Sequence, residues 1–191
     1  MIFSNKLFIL SIVATSVSLS CNAGNNIDKN IDIASGLIER LGSPKAILDA
    51  SNIRQGDYNG DGLADFAVVF KPDSVKFSNT DIKVSKLWNY TGTASSEELH
   101  KSIAIFHGSK QGWLSNDIQA YILLDYTGAL ETPSFELIVS HVGDKDYKNN
   151  IFYLPVKLKM DLIIIPTEAG IDTYIYFDKD GYKLFESEEM P

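Results

Sequence analysis

The chain has 191 residues and a formal charge of −8, and 45% of its residues are hydrophobic. A chain of this size buries about 70% of the surface that its unfolded form exposes, so it suffices for one ordinary domain but not for a second full core. The acidic balance argues against a nucleic acid as partner, because phosphates repel a negative surface and no basic stripe compensates. Solubility, or a basic protein partner, fits the charge better.

The N-terminus has the layout of a secretory signal. Lys6 precedes an apolar stretch from Leu7 to Leu19, which contains no acid and is shorter than the roughly 20 residues of a membrane span. A buried N-terminal helix or strand is the alternative, but small Ser and Thr residues cluster where a peptidase would cut. We therefore expect residues 1–21 to be a signal peptide and the protein to be exported to the periplasm.

Cys21 is the only cysteine, so no internal disulfide is expected. The segment VSLSC resembles a bacterial lipobox, in which an apolar run ends at a cysteine that becomes lipid-modified. The usual leucine three positions before the cysteine is here Ser18, which leaves cleavage after Ala23 as the alternative. The resemblance implies lipidation at Cys21, and Asn22 implies sorting to the outer membrane; otherwise the protein is free in the periplasm.

The mature chain predicts a short tether at residues 22–29 and a single β-rich domain at residues 30–191. Apolar residues then recur every three or four positions and predict one amphipathic helix: Ile31, Ala34, Ile38 and Leu41. Gly42 can close this helix, and Ser43 with Pro44 predicts a second short helical turn that reaches roughly Ala50.

Beyond Asn52 the pattern changes to strands. The continuous apolar run FAVVF (Phe66–Phe70) predicts a central strand that is covered on both faces. Further strands are predicted at Ser102–Gly108, Gln119–Asp125, Ser134–Val142, Ile151–Lys159, Asp161–Glu168, Asp172–Asp178 and Tyr182–Glu186. The polar stretch Pro72–Lys101 predicts an insertion with one possible strand at Ile82–Tyr90. The fold class is therefore mainly β (α+β), with an N-terminal amphipathic helix followed by an antiparallel sheet or sandwich.

The segment GDYNGDGLADFAVVF (Gly56–Phe70) predicts a metal loop. Oxygen-bearing side chains occupy relative positions one, three, five and nine: Asp57, Asn59, Asp61 and Asp65. Calcium takes six to eight such oxygens; a glycine at position six permits the sharp turn, and the carbonyl of Leu63 at position seven is a further ligand. An EF-hand is excluded, because position twelve is Val68 rather than glutamate. The alternative is a polar turn rich in Asx and Gly, whose carboxylates would repel one another without benefit.

The loop and the later segment SIAIFHGSKQGW together resemble the FG-GAP repeat of integrin α-chain propellers and related bacterial repeats. Those repeats run from a D-x-[DN]-x-D-G-x-x-D loop into an apolar strand, and a second strand then ends in a G-S-x-x-G turn, here Gly108, Ser109 and Gly112. The resemblance implies calcium (Ca²⁺) bound by Asp57, Asn59, Asp61 and Asp65.

A complete propeller is not predicted, because the sequence contains no second complete loop and a propeller needs about four to eight blades. The nearest second match is FDKDGYKLF (Phe177–Phe185), in which Lys183 follows the glycine and no further acid is present. The DG pair between alternating strands predicts a hairpin turn there instead.

The sequence lacks the usual catalytic spacings. The three histidines, His100, His107 and His141, form no zinc-hydrolase motif, there is no G-x-S-x-G elbow, and the single cysteine lies at the processing site. We therefore predict a non-catalytic calcium-binding envelope lipoprotein that binds another envelope protein. One specific version is an inhibitor or immunity protein against a basic, wall-degrading enzyme.

Two alternatives stay open at this point. One is a small periplasmic hydrolase with dispersed catalytic residues, which would lose turnover on mutation of His107 or His141. The other is a carbohydrate-binding module, which an exposed Trp88 or Trp113 would favour. Most of the aromatic residues considered for recognition are expected in the core: Trp88, Tyr90, Trp113, Tyr121 and Tyr126.

Overall fold

In the computed structural model the described residues are 23–73, 77, 80–89, 101–124, 136–147, 154, 158–166, 172–179 and 181–186. The predicted signal peptide, Cys21 and Asn22 lie outside them. The elements in chain order are α1 (Ala23–Arg40), β1 (Ile47–Gly56), β2 (Asp65–Lys71), β3 (Lys83–Asn89), β4 (Ser102–His107), β5 (Gln119–Leu124), β6 (Ile138–Ser140), β7 (Leu162–Ile165), β8 (Thr173–Asp178) and β9 (Gly181–Glu186). Within these ranges no helix combines the length and apolarity that a membrane span requires. The predicted fold class, mainly β with an N-terminal helix, is confirmed.

The strands form two sheets. The first has the order β1-β2-β4-β5-β3 and is antiparallel except for the parallel pair β3 and β5. The second has the order β6-β7-β8-β9 and is antiparallel throughout. Across the described strands, neither sheet closes into a barrel or a propeller blade ring. β3 comes from the predicted insertion and joins the first sheet at its edge.

The central strand β2 is covered on both faces, as predicted. Successive side chains of a strand point to opposite faces, so each face contributes to a different cluster. Ala67 and Val69 pack with residues of both sheets, including Ile163 and Ile175. Phe66, Val68 and Phe70 pack instead with the apolar face of α1, including Leu37 and Ile38. The helix therefore covers one side of the first sheet, and the second sheet covers the other.

The outer face of the second sheet is covered by the chain between β6 and β7. Tyr147, Leu154 and Leu158 are buried there against alternate residues of the sheet, Leu162, Ile164, Tyr174 and Tyr176. A strand was predicted at Ile151–Lys159, but its described residues, 154, 158 and 159, are not in a strand. Their apolar side chains serve to cover the sheet rather than to extend it.

Two predictions near the N-terminus are wrong. The helix begins at Ala23, so residues 23–29 are helical rather than a tether. The short helical turn expected to reach Ala50 is replaced by the beginning of β1 at Ile47. Ile47 and Leu48 pair with Lys71 and Phe70 of β2. Pairing with a central strand overrides the local serine–proline signal, since strand formation depends strongly on tertiary context.

Side chains link the two sheets along both sides. On one side Asn52 Oδ1 accepts a hydrogen bond from Leu137 N at 2.8 Å, and Arg54 Nε donates to Leu137 O at 2.8 Å. On the other side Lys86 Nζ donates to Tyr182 O at 3.4 Å. A bulge between Leu48 and Ile53 interrupts the regular pairing of β1 with β2, in the stretch of β1 that contains Asn52. The sheets therefore form a sandwich whose edges are held by side-chain contacts to backbone.

Replacing Asn52 tests this closure. Asn52 is buried, and in Asn52→Ala the buried N–H of Leu137 loses the acceptor that this side chain provides. We expect the free energy of unfolding in urea to fall by about 1–3 kcal/mol. Gln55→Ala, at an exposed position of the same strand, is the control and should change it by less than about 0.5 kcal/mol. Equal stability of the two variants would show that the contact contributes nothing.

Candidate metal centre

The predicted metal loop connects the first two strands of the first sheet. β1 ends at Gly56 and β2 begins at Asp65, and these two residues are paired across the ladder. Residues 57–64 therefore form a hairpin connection whose two ends are fixed by the sheet. The loop lies at the entrance of a strand whose first six residues are all buried.

The side chains at the first three oxygen-bearing positions are folded against the loop backbone. Asp57 Oδ1 accepts a hydrogen bond from Gly60 N at 2.8 Å, and its Oδ2 accepts one from Gly62 N at 3.0 Å. Asn59 Oδ1 accepts from Asp61 N at 2.9 Å, and Asp61 Oδ1 accepts from Leu63 N at 2.8 Å. The last two bonds are Asx turns, and together with the two bonds to Asp57 they curl the backbone around the side chains.

Two glycines make this curl possible. Gly60 has a φ of 78° and Gly62 a φ of 80°, in the left-handed region that glycine adopts without steric cost. Asn59 Nδ2 also donates to Asp61 Oδ2 at 3.1 Å, which places these two side chains side by side. The sequence assigned Gly62 the sharp turn of a metal loop, and its backbone conformation agrees with that role.

Asp65 is buried and has a different environment. Its Oδ2 accepts from Tyr58 N and its Oδ1 from Gly108 N, both at 2.9 Å. Burial raises the pKa of Asp65 to about 7; repulsion from Asp61 and Asp57 also raises it, whereas the two backbone hydrogen bonds oppose the increase. A carboxylate in this position is therefore poorly compensated as an anion.

The loop brings Asp57, Asn59 and Asp61 together, while Asp65 bonds to backbone on its inner side. Among the described residues, no three His, Cys, Asp or Glu side chains are gathered closely enough to form a metal site. In the same part of the chain, no ion pair involves Asp57, Asp61 or Asp65. Each carboxylate oxygen that accepts one N–H keeps a second lone pair, so these hydrogen bonds do not exhaust the donor capacity of the loop.

The G-S-x-x-G turn lies directly beside the loop. A Cβ at Gly108 would lie 2.2 Å from Ala64 O, so only glycine permits this approach of β4 to the loop. Gly112 has a φ of 87° and donates to Ser109 O at 3.0 Å, which closes the turn. Trp113 then packs on Phe66, with ring centroids 4.8 Å apart. The two segments that carry the family resemblance are thus one structural unit.

A residue from a distant part of the chain also contacts the loop. Asp161, 104 positions away, accepts from Asp57 N at 2.9 Å, and Asp161 N donates to Asp57 O at 2.9 Å. His141 Nδ1 lies 2.8 Å from Asp161 Oδ2, and Val142 N donates to Asp161 Oδ1 at 2.8 Å. Burial alone would raise the pKa of Asp161, but these hydrogen bonds outweigh it and lower the pKa. No local pattern predicts such a long-range contact.

His107 belongs to an aromatic cluster rather than to an open site. It is buried, its Nε2 lies 2.9 Å from the Tyr182 hydroxyl, and it packs against the rings of Tyr121 and Phe177. Burial lowers the pKa of His107 to about 4, so the imidazole is neutral at physiological pH. Nearby in the same core, Tyr58 has a buried hydroxyl without a partner among the described residues.

The remaining aromatic and histidine candidates divide as follows. Tyr121 is buried and Trp113 is half-buried against the core, as expected for most of this group. His100, Tyr90 and Tyr126 lie outside the described residues, as does the side chain of Trp88. His141 has a half-exposed side chain.

Comparison with known proteins yields no match: no family description, no curated protein and no solved structure is similar to this chain. The FG-GAP resemblance therefore remains a prediction from the residues themselves.

Substitution of Gly108 tests the contact between β4 and the loop. In Gly108→Ala the new methyl group clashes with Ala64 O, so the strand end must move away from Asp65. We expect a loss of about 1–3 kcal/mol in the free energy of unfolding. Gly36→Ala is the matched control, because the helical Gly36 has open space and should gain up to about 1 kcal/mol. A Gly108→Ala protein as stable as the wild type would contradict the close approach.

Proposed function

We propose that this protein is an exported, non-catalytic binding module whose loop 57–65 binds calcium. The observation that carries the proposal is the folded loop itself. Its backbone is curled around Asp57, Asn59 and Asp61, and the ion pairs of the described residues leave its carboxylates without a cation. The resemblance to FG-GAP repeats supports the same metal and the same ligands, with the Leu63 carbonyl in addition.

The charges of the loop favour a divalent cation. Asp57 and Asp61 both disfavour the ionised form of the buried Asp65. An opposite charge nearby favours the charged form of a carboxylate, so a cation between these groups would offset both the repulsion and the desolvation. Oxygen-only ligands of this kind suit calcium, and exported calcium modules bind with dissociation constants of about 10⁻⁴ to 10⁻³ M. Calcium would then stabilise the entrance of β2.

The proposed location follows from the N-terminal sequence. A signal peptide at residues 1–21 would direct the chain to the periplasm, and lipidation of Cys21 would anchor it in the outer membrane. Cleavage after Ala23 would instead release it into the periplasm. The partner we propose is another envelope protein, and the acidic surface favours a basic one.

A loop next to the metal centre offers a contact surface for such a partner. Leu114 is 91% exposed, yet the carbonyls on either side of it are held by Arg40: Nη1 donates to Trp113 O at 2.6 Å and Nη2 to Ser115 O at 2.9 Å. A side chain presented on a rigid loop loses little further entropy on binding, which favours affinity. Two acids near Leu114 suit a basic partner. Asp81 pairs with Arg40, which holds the loop, and Asp117 follows Leu114 by three residues in the chain.

A hydrolase is the second candidate, and one observation favours it. The His141 ring is half-exposed and oriented by Asp161 through its Nδ1, as in a catalytic base. However, among the described residues the His141 ring hydrogen-bonds Asp161 and no Ser, Thr or Tyr hydroxyl, so a nucleophile for this base is not apparent. Turnover of a wall or ester substrate that disappears in His141→Gln would favour this candidate over the binding module.

Calcium is expected to stabilise the protein. At ten times the dissociation constant, binding adds about 1.4 kcal/mol to the free energy of unfolding. For a chain of this length that corresponds to a rise of about 3–6 °C in Tm. Calorimetry with calcium and with chelator should show this difference, and Asp61→Ala should abolish it. Asp117→Ala, an exposed acid outside the loop, should retain it. Identical wild-type melts in calcium and in chelator would refute the calcium proposal.

The contact surface is tested by affinity capture from envelope extract in calcium and in chelator. We expect a partner that is recovered by the wild type in calcium and recovered much less by Leu114→Ser, because the exposed anchor is lost. Leu87→Ser is the control, since Leu87 is also exposed but lies on the edge strand β3. Recovery that is the same for all three proteins would show that Leu114 is not part of the interface.

A further inference from the structure

The metal loop is attached to the second sheet through a residue that no motif includes. We propose that Asp161, oriented by His141, is a positioning residue that holds the loop in its folded shape and couples its occupancy to the turn 141–147. The positioning stands on the contacts alone, whereas the coupling rests on the proposed calcium function.

Asp161 forms two hydrogen bonds with the backbone of the first residue of the loop, Asp57. Its carboxylate accepts the N–H of Asp57 and its own N–H donates to the carbonyl of Asp57, both at 2.9 Å. Asp57 in turn supplies the side chain around which Gly60 and Gly62 are wrapped. The orientation of Asp57 therefore depends on the residue directly before β7, although the Asp57 side chain itself lies within the loop.

The carboxylate of Asp161 is itself fixed. His141 Nδ1 lies at 2.8 Å from Oδ2, and Val142 N donates to Oδ1 at 2.8 Å. The turn that carries these two residues is closed by Asp144, whose Oδ2 accepts from His141 N at 2.9 Å and whose N–H donates to His141 O at 3.0 Å. One connected set of hydrogen bonds thus runs from the turn to the loop.

The packing of the loop against the same segment is close. A Cβ at Gly56 would lie 2.7 Å from the Tyr58 ring and 2.9 Å from Asp161 Oδ2, so glycine fits where β1 passes between these two groups. A Cβ at Gly60 would lie 3.5 Å from the Cβ of Met160, at van der Waals distance. Tyr147 OH donates to Met160 O at 2.5 Å, which connects the end of the turn to the segment that carries Met160 and Asp161. This packing provides a contiguous route by which a change in the loop can reach the turn.

The test compares Asp161→Asn with Asp146→Asn, which removes a charge from an exposed position of the same turn and lies outside the set of hydrogen bonds that runs to the loop. In metal-free protein, we expect Asp161→Asn to accelerate hydrogen exchange at the Gly60 and Gly62 amides about tenfold or more, because a charged acceptor is lost. Asp146→Asn should leave these rates unchanged. The amide of Ile105 in β4 reports whether the fold is intact.

Calcium titration by calorimetry supplies the second readout. We expect Asp161→Asn to raise the calcium Kd about tenfold, as outer-shell substitutions do, while Asp146→Asn keeps the wild-type Kd. Saturation with calcium should also shift the imidazole NMR signals of His141 in the wild type and not in Asp161→Asn. A merely stabilising role would not produce this spectroscopic difference.

The outcomes separate the two proposals. Wild-type exchange rates and a wild-type Kd in Asp161→Asn would overturn the positioning role. A wild type that binds no calcium would refute the proposed function and the coupling, while the exchange comparison would still decide the positioning role. If Asp161→Asn does not fold, His141→Gln decides instead: faster exchange at Gly60 and Gly62 than in Asp146→Asn supports the inference, and equal exchange overturns it.

Discussion

The structure depends on one buried carboxylate. Asp65 accepts the N–H of Tyr58 within the loop and the N–H of Gly108 at the end of β4. These two bonds connect the loop to the neighbouring strand at the point where the central strand begins. Because the carboxylate is fully buried and repelled by other acids, its ionised form demands compensation from the surroundings. Backbone N–H groups give part of it, and the cation that we propose for this loop would supply the rest.

Much of the fold follows from local sequence. The continuous apolar run at Phe66–Phe70 predicted a strand covered on both faces. The DG pair predicted a hairpin between β8 and β9, and these strands are antiparallel neighbours in which Asp178 pairs with Gly181. Both features depend on neighbours in the chain: burial on alternate sides in the first case and turn geometry in the second.

Other elements depend on contacts that are distant in sequence, and these could not be predicted. β1 lacks a clear apolar alternation, yet it forms because β2 offers a ladder to pair with. The parallel partner of β3 is likewise chosen by the sheet. At the site, the spacing of Asp57, Asn59 and Asp61 predicted a curled loop, but it did not indicate that Asp65 would bond to Gly108 or that Asp161 would reach Asp57.

The early beginning of α1 has a consequence for the reach of the protein. The helix begins at Ala23, so only Asn22 separates it from Cys21. A lipid on that cysteine would leave no slack between bilayer and domain, since one residue spans less than 4 Å. Such a protein would lie directly on the membrane surface. It could then bind only molecules whose distance from the membrane is no greater than the width of the domain.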